Sequence, residues 1–533
     1  MRGIKVVSLL LCFLFSIGSI AQPIPPYKVN VLTPASTGYY FLTPAKFNGT
    51  PGAYPPTHLI LDAQGNMVYY KKFSGNAPAT DFKIQPNGLM SYLGSGKFML
   101  MDSTFTVTDS VSCADTFTVD AHDMKILPNG HYLLLGSANV QMDLSGYHYF
   151  SHNGSPGSAT ANVRCGIIQE LDVNKNPVFF WNSKDHYLFS DVDSSFLNTP
   201  NSVDWTHFNA VDKDADGNIL VSSRHFNEIT KIDSASGNII WRLGGKQNQF
   251  TFINDAAKFH GQHDIRRLNN GNYSLFDDGN AKPPVHAARG KEYQLNTATM
   301  QANLVWSFME SATLASQATG SVQRLPNGNT LIDWGVLNNY NLTLNVIDNG
   351  GNKVFELAFD DTLYSYRAYN YASLPWALHR PQLVCGHDSS GYYLEPAQNY
   401  SSYLWNTGET TKRVYVTAAD TLTIFVPYGQ AGFIASEPFA VTNIAEPCGP
   451  TALAPLAEAT FTVMPNPTEG EITLSFNALP QQSLLEVFDL QGKLMLATQV
   501  EAGATTAKLS LAPLANGIYL LRCKGSVSKL VKR

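Results

Sequence analysis

Apolar and polar residues alternate along most of the first 380 residues with the two-residue period of half-buried β-strands. Six segments share one pattern, in which an alternating strand leads through a glycine turn, Asn-Gly in most cases, to a second alternating strand. Asn and Gly tolerate the positive φ angles of tight turns, so the pattern predicts β-hairpins. The six segments are Leu59–Tyr70, Phe82–Leu93, Met124–Leu135, Ala210–Ser223, Ile265–Asp278 and Val322–Gly335.

Several hairpins continue into a third strand, a second turn and a fourth strand, most clearly from Glu228 to Gly245. Four strands per unit, repeated without helical periodicity, are typical of a β-propeller. The sequence therefore predicts an all-β fold with a six-bladed β-propeller over residues 22–380. A stacked β-solenoid is the structural alternative, although its repeats are usually shorter.

The pattern changes after residue 380. Residues 381–450 hold short strands, a central Trp405, Asn-Thr-Gly turn chemistry and a flanking cysteine pair, which together predict an immunoglobulin-like β-sandwich. A linker rich in Ala, Pro and Leu follows at 451–459. Residues 460–533 return to alternating strands and predict a small C-terminal β-sandwich.

The N-terminus has the build of a signal peptide. Arg2 and Lys5 precede an apolar run from Val6 to Ile17, and small residues before and at Ala21 fit a cleavage site. The run is short for a membrane span of ~20 residues. We therefore expect residues 1–21 to be removed on export and the mature chain to have no transmembrane segment.

Composition agrees with an exported protein and bears on its partners. Charged residues are only 15 % of the chain, while 25 Tyr, 29 Phe and 40 Gly suit many strands and turns. A formal net charge of −6 argues against nucleic-acid binding, which usually needs a basic face.

Export permits disulfides. The pairings that stay within one predicted domain are Cys113 with Cys165 and Cys385 with Cys448, which leaves Cys523 over.

Polar clusters rich in histidine lie at the ends of the predicted strands. Because propellers bring first-strand starts to the central channel, we expect these distant residues to face one polar, cationic pocket. Each histidine taken singly is also compatible with a purely structural hydrogen-bonding role. The clusters are Asp204, His207 and Asn209; Arg224, His225 and Asn227; His260, Gln262, His263 and Asp264; Asp277, Asn280, His286 and Arg289; and, more weakly, His122 and Asp123.

The C-terminal segment resembles the sorting domain of type IX secretion. The matching positions are Pro465-Asn466-Pro467, Gly470, Phe488-Asp489 with Gly492, Leu514 with Gly517-Ile518-Tyr519, and the basic end Lys529–Arg533. The resemblance implies handling by the type IX secretion machinery of a Gram-negative bacterium. It implies a protein that is secreted or attached to the cell surface.

The stretch Asp204–Gly245, followed by Gly261–Asn280 and Ala288–Leu295, resembles the bacterial arylsulfate sulfotransferases. These are six-bladed propellers that move a sulfuryl group from an aryl sulfate donor to a phenolic acceptor. The resemblance runs from about Ser36 to Glu356 and implies no nucleotide donor, no metal and no other cofactor. It also implies a histidine that is transiently sulfated, and cationic groups that stabilise the charge on the sulfuryl oxygens.

The family motifs assign roles to individual positions. The resemblance implies sulfate binding and acid–base chemistry for His207, His263 and Arg289, with His225 as a further catalytic candidate. The implied substrate-binding residues are Asn209, Arg224 and His286.

One repeat departs from the family pattern. The family's nucleophilic histidine follows the arginine motif, whereas residues 320–348 hold no histidine. Three alternatives follow: His225, His263 or His286 is the nucleophile, or transfer is direct, or the chain is not a sulfotransferase. In the last case it is a non-catalytic surface propeller that binds a sulfated or anionic ligand, or a scaffold for adhesion.

Overall fold

In the computed structural model the regular secondary structure of the protein is almost entirely β-strand. The predicted signal peptide and the linker lie outside the described residues. Helix in the described part of the chain is confined to 3₁₀ turns at Ser183–Asp185, Phe189–Asp191, Ser194–Phe196 and Arg224–Phe226. The structure describes residues 25–31, 38–46, 54–74, 79–148, 156–197, 199–279, 286–337, 341–360, 363–448, 461–476, 483–489, 494–501, 503–523 and 526–533.

The chain divides into two compact units. The first comprises the described residues of Met1–Val384, Leu394–Val414 and Thr421–Ala440. The second comprises those of Cys385–Tyr393, Tyr415–Asp420 and Val441–Arg533.

Successive antiparallel sheets make up most of the first unit, and they give it the propeller-like fold that the repeats predict. The sheets are numbered in chain order, and the first and sixth are described below. The second sheet consists of Lys83–Ile84, Met90–Gly94, Lys97–Met101 and Val107–Val111. The third is Thr118–Ile126, Tyr132–Met142, Ala161–Leu171 and Pro177–Asn182, with Ser202–Asp204 beside Ala161–Leu171. The fourth is Phe208–Lys213, Ile219–Ser223, Glu228–Ile232 and Ile239–Gly244. The fifth is His263–Arg267, Tyr273–Asp277, Arg289–Asn296 and Gln301–Phe308, extended by Thr251–Ile253.

The first and last sheets are each built from both ends of this unit. The first sheet pairs Tyr39–Leu42, Thr57–Asp62 and Met67–Lys72 with the late strand Tyr369–Tyr371. The sixth is Ser321–Arg324, Thr330–Asp333, Leu344–Ile347 and Lys353–Phe359, and the early strand Tyr27–Val31 is added to its edge. Pro44–Ala45 and Tyr364–Ser365 form a further short pair. These pairings fasten the beginning of the unit to its end.

The glycine turns close the hairpins as the sequence predicts. Gly130 and Gly271, for example, have φ angles of 83° and 93°. The N–H of Gly130 donates to the carbonyl oxygen of Leu127 at 2.8 Å. Apolar side chains of neighbouring sheets pack between them, and the large cluster between the third and fourth sheets contains the buried Trp181 and Trp205.

Strands after residue 380 continue the first sheet. Gly432–Ala435 pairs with Met67–Lys72, and Ile424–Tyr428 and Leu404–Trp405 follow it in the same sheet. Further strands lie at Leu383–Asp388, Gly391–Pro396, Val414–Tyr415, Asp420–Leu422 and Phe439–Val441.

The described C-terminal residues form two facing sheets in the second unit. Their apolar faces enclose one core that includes Leu474, Val487 and Leu521. One sheet is Thr462–Met464, Glu471–Ser475 and Thr506–Ser510, and the other is Leu494–Val500, Ser483–Phe488, Gly517–Cys523 and Ser526–Lys532.

The predicted cysteine pairings meet different outcomes. The Cys385–Cys448 disulfide is confirmed, and Cys523 is free. The pairing of Cys113 with Cys165 is wrong, because both thiols are free and buried. Cys113 packs in the core that contains Leu134, whereas Cys165 packs in the core that contains Leu133 and Leu135. Alternate residues of a strand face opposite sides of a sheet, so the third sheet separates the two sulfur atoms.

In the part of the chain that the structure describes, no helix is long and apolar enough to cross a membrane.

Candidate functional site

Irregular first strands position the polar clusters. The strand pairing is interrupted between Val119 and Met124 in the third sheet, and similar shifts occur near the strand starts of the fourth and fifth sheets. His207 and Asp264, at the latter two irregularities, have left-handed φ angles of 48° and 57°. Bulges of this kind redirect side chains out of the regular alternation. The polar residues at these strand starts are thereby turned from the sheet faces toward one another.

His207 forms a dyad with Asp204. Its Nδ1–H donates to Oδ2 of Asp204 at 2.5 Å, which leaves the lone pair on Nε2. Burial alone would raise the pKa of Asp204, but the hydrogen bond and charge of His207, with the charges of His225 and Arg164, lower it. Burial lowers the pKa of His207, although the bond to Asp204 opposes this shift. The imidazole is therefore neutral and its carboxylate ionised at neutral pH.

His225 lies directly against this dyad. Its ring centroid is 4.5 Å from that of His207, and its Nδ1–H donates to the backbone oxygen of Asp204 at 2.6 Å. The ring stacks on Phe196 at 4.2 Å. Burial, followed by the charge of His207, holds the pKa of His225 well below its ordinary value.

Arg224 brings a cation to the same place. Its guanidinium lies 5.0 Å from the ring centroid of Phe196, and Nη2 donates to the backbone oxygen of Gln317 at 2.8 Å. Nη2 is also 3.9 Å from Oδ2 of the buried Asp278. The structure thus brings together three of the residues that the sequence singles out: His207, His225 and Arg224.

His263 lies beneath this group, with both ring nitrogens engaged. Nδ1–H donates to Oδ1 of Asp278 at 3.1 Å, and Nε2 accepts the backbone N–H of Thr319 at 3.2 Å. Burial, and then the charges of Arg224, His122 and His207, hold the pKa of His263 well below its ordinary value. In this arrangement His263 orients the carboxyl group of Asp278, which faces Arg224, and it has no free nitrogen to offer a substrate.

Asn209 points into the protein. Its Nδ2 donates to the backbone oxygen of Gln262 at 2.7 Å, and its own backbone oxygen accepts a hydrogen bond from Arg367 at 2.7 Å. The side chain is fully buried. These contacts tie the fourth sheet to its neighbours, and they leave the amide without access to a substrate in this conformation.

His286 and Arg289 lie around a different carboxylate, Asp277. Nε2 of His286 is 2.9 Å from Oδ2 of Asp277, which also accepts Nζ of the buried Lys291 at 2.9 Å. Arg289 pairs with Asp277 across the strands, and its Nε is buried without a hydrogen-bond partner. In the described residues His286 contacts Asp277 and the ring of His260, and it does not contact His207.

The structure adds residues that the sequence ranks low or misses. His122, from the third sheet, lies with its ring centroid 4.9 Å from that of His207, and its Nδ1–H donates to Asp120. Arg164 donates to the same Asp120 at 2.8 Å. One signal could have drawn attention to His122: it begins a His-Asp doublet eight residues before a turn glycine, and so does His263. Arg164 has no such signal.

A buried ion network lies under these groups. Arg367 donates to Oδ1 of Asp81 at 2.9 Å, and its Nε is 3.2 Å from Asp264. Lys83 links Asp81 to Asp123, at 2.6 and 2.9 Å respectively. The paired strands bring these residues from four different sheets or their connections. The network holds fixed the strand starts that carry the histidines.

Asp204, His207 and His225 are also the described group whose ligand atoms are close enough to hold a metal ion, within 4.8 Å of one another. Two imidazoles and a carboxylate suit Zn²⁺ and related ions. Here, however, Asp204 and His207 are hydrogen-bonded to each other. Neutral imidazoles beside arginine cations can instead bind an anion, attack an electrophile or carry a proton.

Family comparisons cover both ends of the chain. The model of arylsulfotransferase (ASST) matches residues 33–370, and that of the secretion system C-terminal sorting domain matches residues 462–533. The sorting domain marks a protein that is secreted or attached to the cell surface and handled by the type IX secretion machinery. No curated protein matches the chain.

Solved structures with a similar fold share little sequence with this chain. A protein of unknown function from Bacteroides caccae is 13 % identical, with 63 % of this chain and 99 % of that chain covered and a TM-score of 0.40. A streptogramin B lyase is 11 % identical, with 69 % and 94 % covered and a TM-score of 0.32. An inactive virginiamycin B lyase from Staphylococcus aureus with quinupristin is 10 % identical, with 70 % and 96 % covered and a TM-score of 0.33.

Proposed function

We propose, since the chain belongs to the arylsulfotransferase family, that it moves a sulfuryl group from an aryl sulfate to a phenol without a nucleotide donor. The observation that carries the proposal is the meeting of the His207–Asp204 dyad with His225 and Arg224. This group supplies the two things that the reaction needs: a cation for the sulfuryl oxygens and a neutral imidazole for the phenolic proton.

The energetics favour such a site for an anionic group. The transferring sulfuryl group carries negative charge on its oxygens, and donors fixed before the reaction stabilise that charge without reorganisation. A guanidinium suits this role because its planar fork donates to two oxygens at once. His207 would take the proton of the acceptor phenol, since Asp204 holds its Nδ1–H and directs the Nε2 lone pair elsewhere. His225 and Arg224 would form the wall of the site.

A second candidate function is capture of a sulfated or anionic ligand without turnover. Two observations favour it: residues 320–348 hold no histidine, and both nitrogens of His263 are occupied. It predicts saturable binding of an aryl sulfate with no release of phenol.

The deciding experiment is an assay on the mature full-length chain with a nitrophenyl sulfate donor and a phenol acceptor, without nucleotide or added metal. Wild type should release nitrophenol through repeated turnovers only when the acceptor is present, and it should form the new aryl sulfate. His207→Gln should lower kcat/KM by about 10²- to 10⁴-fold, the usual contribution of a general acid–base group.

His131→Gln is the matched control, because His131 also forms a carboxylate pair, with Glu170 at 2.8 Å, outside the candidate site. It should keep wild-type activity. Donor binding without transfer across a panel of phenols would favour the capture function instead.

A further inference from the structure

A second carboxylate–histidine dyad faces the first. His122 lies in the irregular part of Thr118–Ile126, where its Nδ1–H donates to Asp120 and its backbone N–H donates to Oδ1 of the same carboxylate at 3.1 Å. Asp120 is buried. Burial alone would raise its pKa, but the charge and hydrogen bond of His122 and the charge of Arg164 lower it. Asp120 is therefore an ionised acceptor that fixes the tautomer of His122 and leaves the lone pair on Nε2.

The backbone of His122 is held as firmly as its side chain. Its carbonyl oxygen accepts Nη1 of Arg367 at 3.0 Å and the hydroxyl of Tyr366 at 3.3 Å. Arg367 belongs to the buried ion network. A group fixed at its ring, its amide and its carbonyl is preorganised, which a catalytic group requires.

The two dyads leave their reactive nitrogens open. The rings of His122 and His207 are 4.9 Å apart at an angle of 65°. Within the described residues, neither Nε2 has a hydrogen-bond partner, and the side chains are 18 % and 23 % exposed. By contrast, His263 has both nitrogens engaged and His225 is buried against Phe196. Of the four clustered histidines, His122 and His207 are those that a substrate can reach.

Arg164 lies beside both dyads. It donates to Oδ2 of Asp120 at 2.8 Å, and its charge lowers the pKa of both Asp120 and Asp204. Its side chain is 40 % exposed, whereas that of Arg224 is 12 % exposed. A guanidinium has five N–H donors, so Arg164 can bind Asp120 and still offer hydrogen bonds to an incoming anion. The accessible cation of the site is thus hydrogen-bonded to the carboxylate of His122.

We infer that Nε2 of His122 is the nucleophile that accepts the sulfuryl group, with Arg164 on the sulfuryl oxygens and His207 as the proton carrier. This inference rests on the proposed function. It places the nucleophile in the third sheet, at a position that the sequence motifs leave unassigned.

The chemistry balances in two displacements. In the first, the Nε2 lone pair of His122 forms a bond to sulfur while the bond from sulfur to the donor oxygen breaks, and the donor leaves as a phenolate with that electron pair. In the second, the acceptor oxygen forms a bond to sulfur, its proton passes to Nε2 of His207, and the electron pair of the sulfur–nitrogen bond returns to His122. The proton then leaves His207 for the solvent or the phenolate. The first half-reaction breaks a bond between sulfur and an aryl oxygen and the second forms one, so one site serves both.

The test is to mix the mature wild-type chain with nitrophenyl sulfate alone, quench it and map the peptides by mass spectrometry. The expected result is a sulfuryl group on the peptide that contains His122, lost when a phenol is added before the quench. In parallel, His122→Ala should lower transfer by about 10³-fold or more, because the residual rate comes from binding and charge stabilisation alone. Added imidazole should restore part of that loss in His122→Ala.

His131→Ala, which removes the His131–Glu170 pair of the same sheet, should keep the wild-type rate and gain nothing from imidazole. The adduct measurement needs no variant, so it decides the matter even if His122→Ala fails to fold. A sulfuryl group on the His207 peptide, or full activity in a folded His122→Ala, would overturn the inference and leave the proposed function standing. A wild type that binds the donor and transfers nothing would overturn both.

Discussion

The histidines of the site differ in what each ring nitrogen contacts, and this fixes what each can do. His263 donates with one nitrogen and accepts with the other, so it is a structural link between Asp278 and Thr319. In His122 and His207, Nδ1–H donates to a carboxylate and Nε2 remains available. Identical side chains thus acquire different chemistry from their neighbours alone.

The pH dependence of transfer should report on His207. Its pKa is lowered by burial, so the acid limb of kcat/KM for the phenol acceptor should lie below the ordinary histidine value of about 6.5. Activity should rise with pH through this limb, because the neutral ring is the form that accepts a proton. The Asp204 bond raises the pKa of His207, so Asp204→Asn should move the limb to still lower pH and reduce the rate. A limb well above 6.5 in wild type would contradict this reading of His207.

Sequence reasoning finds some of these residues and not others for a physical reason. Three of the residues, His207, His225 and Arg224, stand at strand ends beside recognisable turns. The propeller that the repeats predict brings such strand ends near one another. Arg164 is the fourth residue of the long strand Ala161–Leu171, where nothing in the sequence distinguishes it from a surface arginine until the fold places it beside Asp120. His286 and Arg289 also stand in a polar cluster of the sequence, but in the structure His286 forms a hydrogen bond with Asp277.

At the scale of strands and turns, local signals predict the hairpins well and their partners poorly. Glycine turns fix which strands are joined in sequence. No sequence pattern near these strands predicts that Tyr369–Tyr371 joins the first sheet or that Gly432–Ala435 extends it. These pairings depend on the arrangement of the whole unit.

Close packing between sheets should make Gly320, which precedes the strand Ser321–Arg324, costly to replace. Gly320 has a φ of 99°, and a Cβ there would lie 2.5 Å from the ring of Phe276 and 2.9 Å from the backbone oxygen of Asp333. Gly88 has a similar φ of 85° but open space around it. In both alanine variants the backbone is strained because φ is positive, and only Gly320→Ala adds a steric clash.

Gly320→Ala should therefore be less stable than Gly88→Ala by about 1–3 kcal/mol, the usual cost of overpacking. Urea unfolding of the two variants and wild type measures the difference. Equal stabilities of the two variants would contradict this prediction and would mean that the fifth and sixth sheets can separate enough to accommodate the added methyl group.

Across the whole first unit, the buried ion network centred on Arg367 joins residues of different sheets and their connections. Arg367 is 1 % exposed and contacts Asp81, Asp123 and Asp264. Burial opposes the ionised form of Asp123, but the charges of Arg266, Arg367 and Lys83 hold its pKa well below the ordinary value. Removing Arg367 would leave these three buried carboxylates with only Lys83 and Arg266 as counter-charges.

Arg367→Met should destabilise the protein by about 3–5 kcal/mol, as is typical when one partner of a buried pair is lost. Lys28→Met is the comparison, because its pair with Asp360 is 3.6 Å long and its side chain is 77 % exposed. Such exposed pairs contribute at most about 1 kcal/mol. Denaturant unfolding measures both changes, and a small loss in Arg367→Met would show that the network contributes little to stability.

The pairing of Tyr39–Leu42 with Tyr369–Tyr371 has a consequence for how the chain is made. Synthesis proceeds from the N-terminus, so Tyr39–Leu42 has no Tyr369–Tyr371 partner until residue 371 exists. Contacts so distant in sequence slow folding and leave partly assembled sheets with open edges. Until then the open edge of Tyr39–Leu42 can pair with strands of other chains.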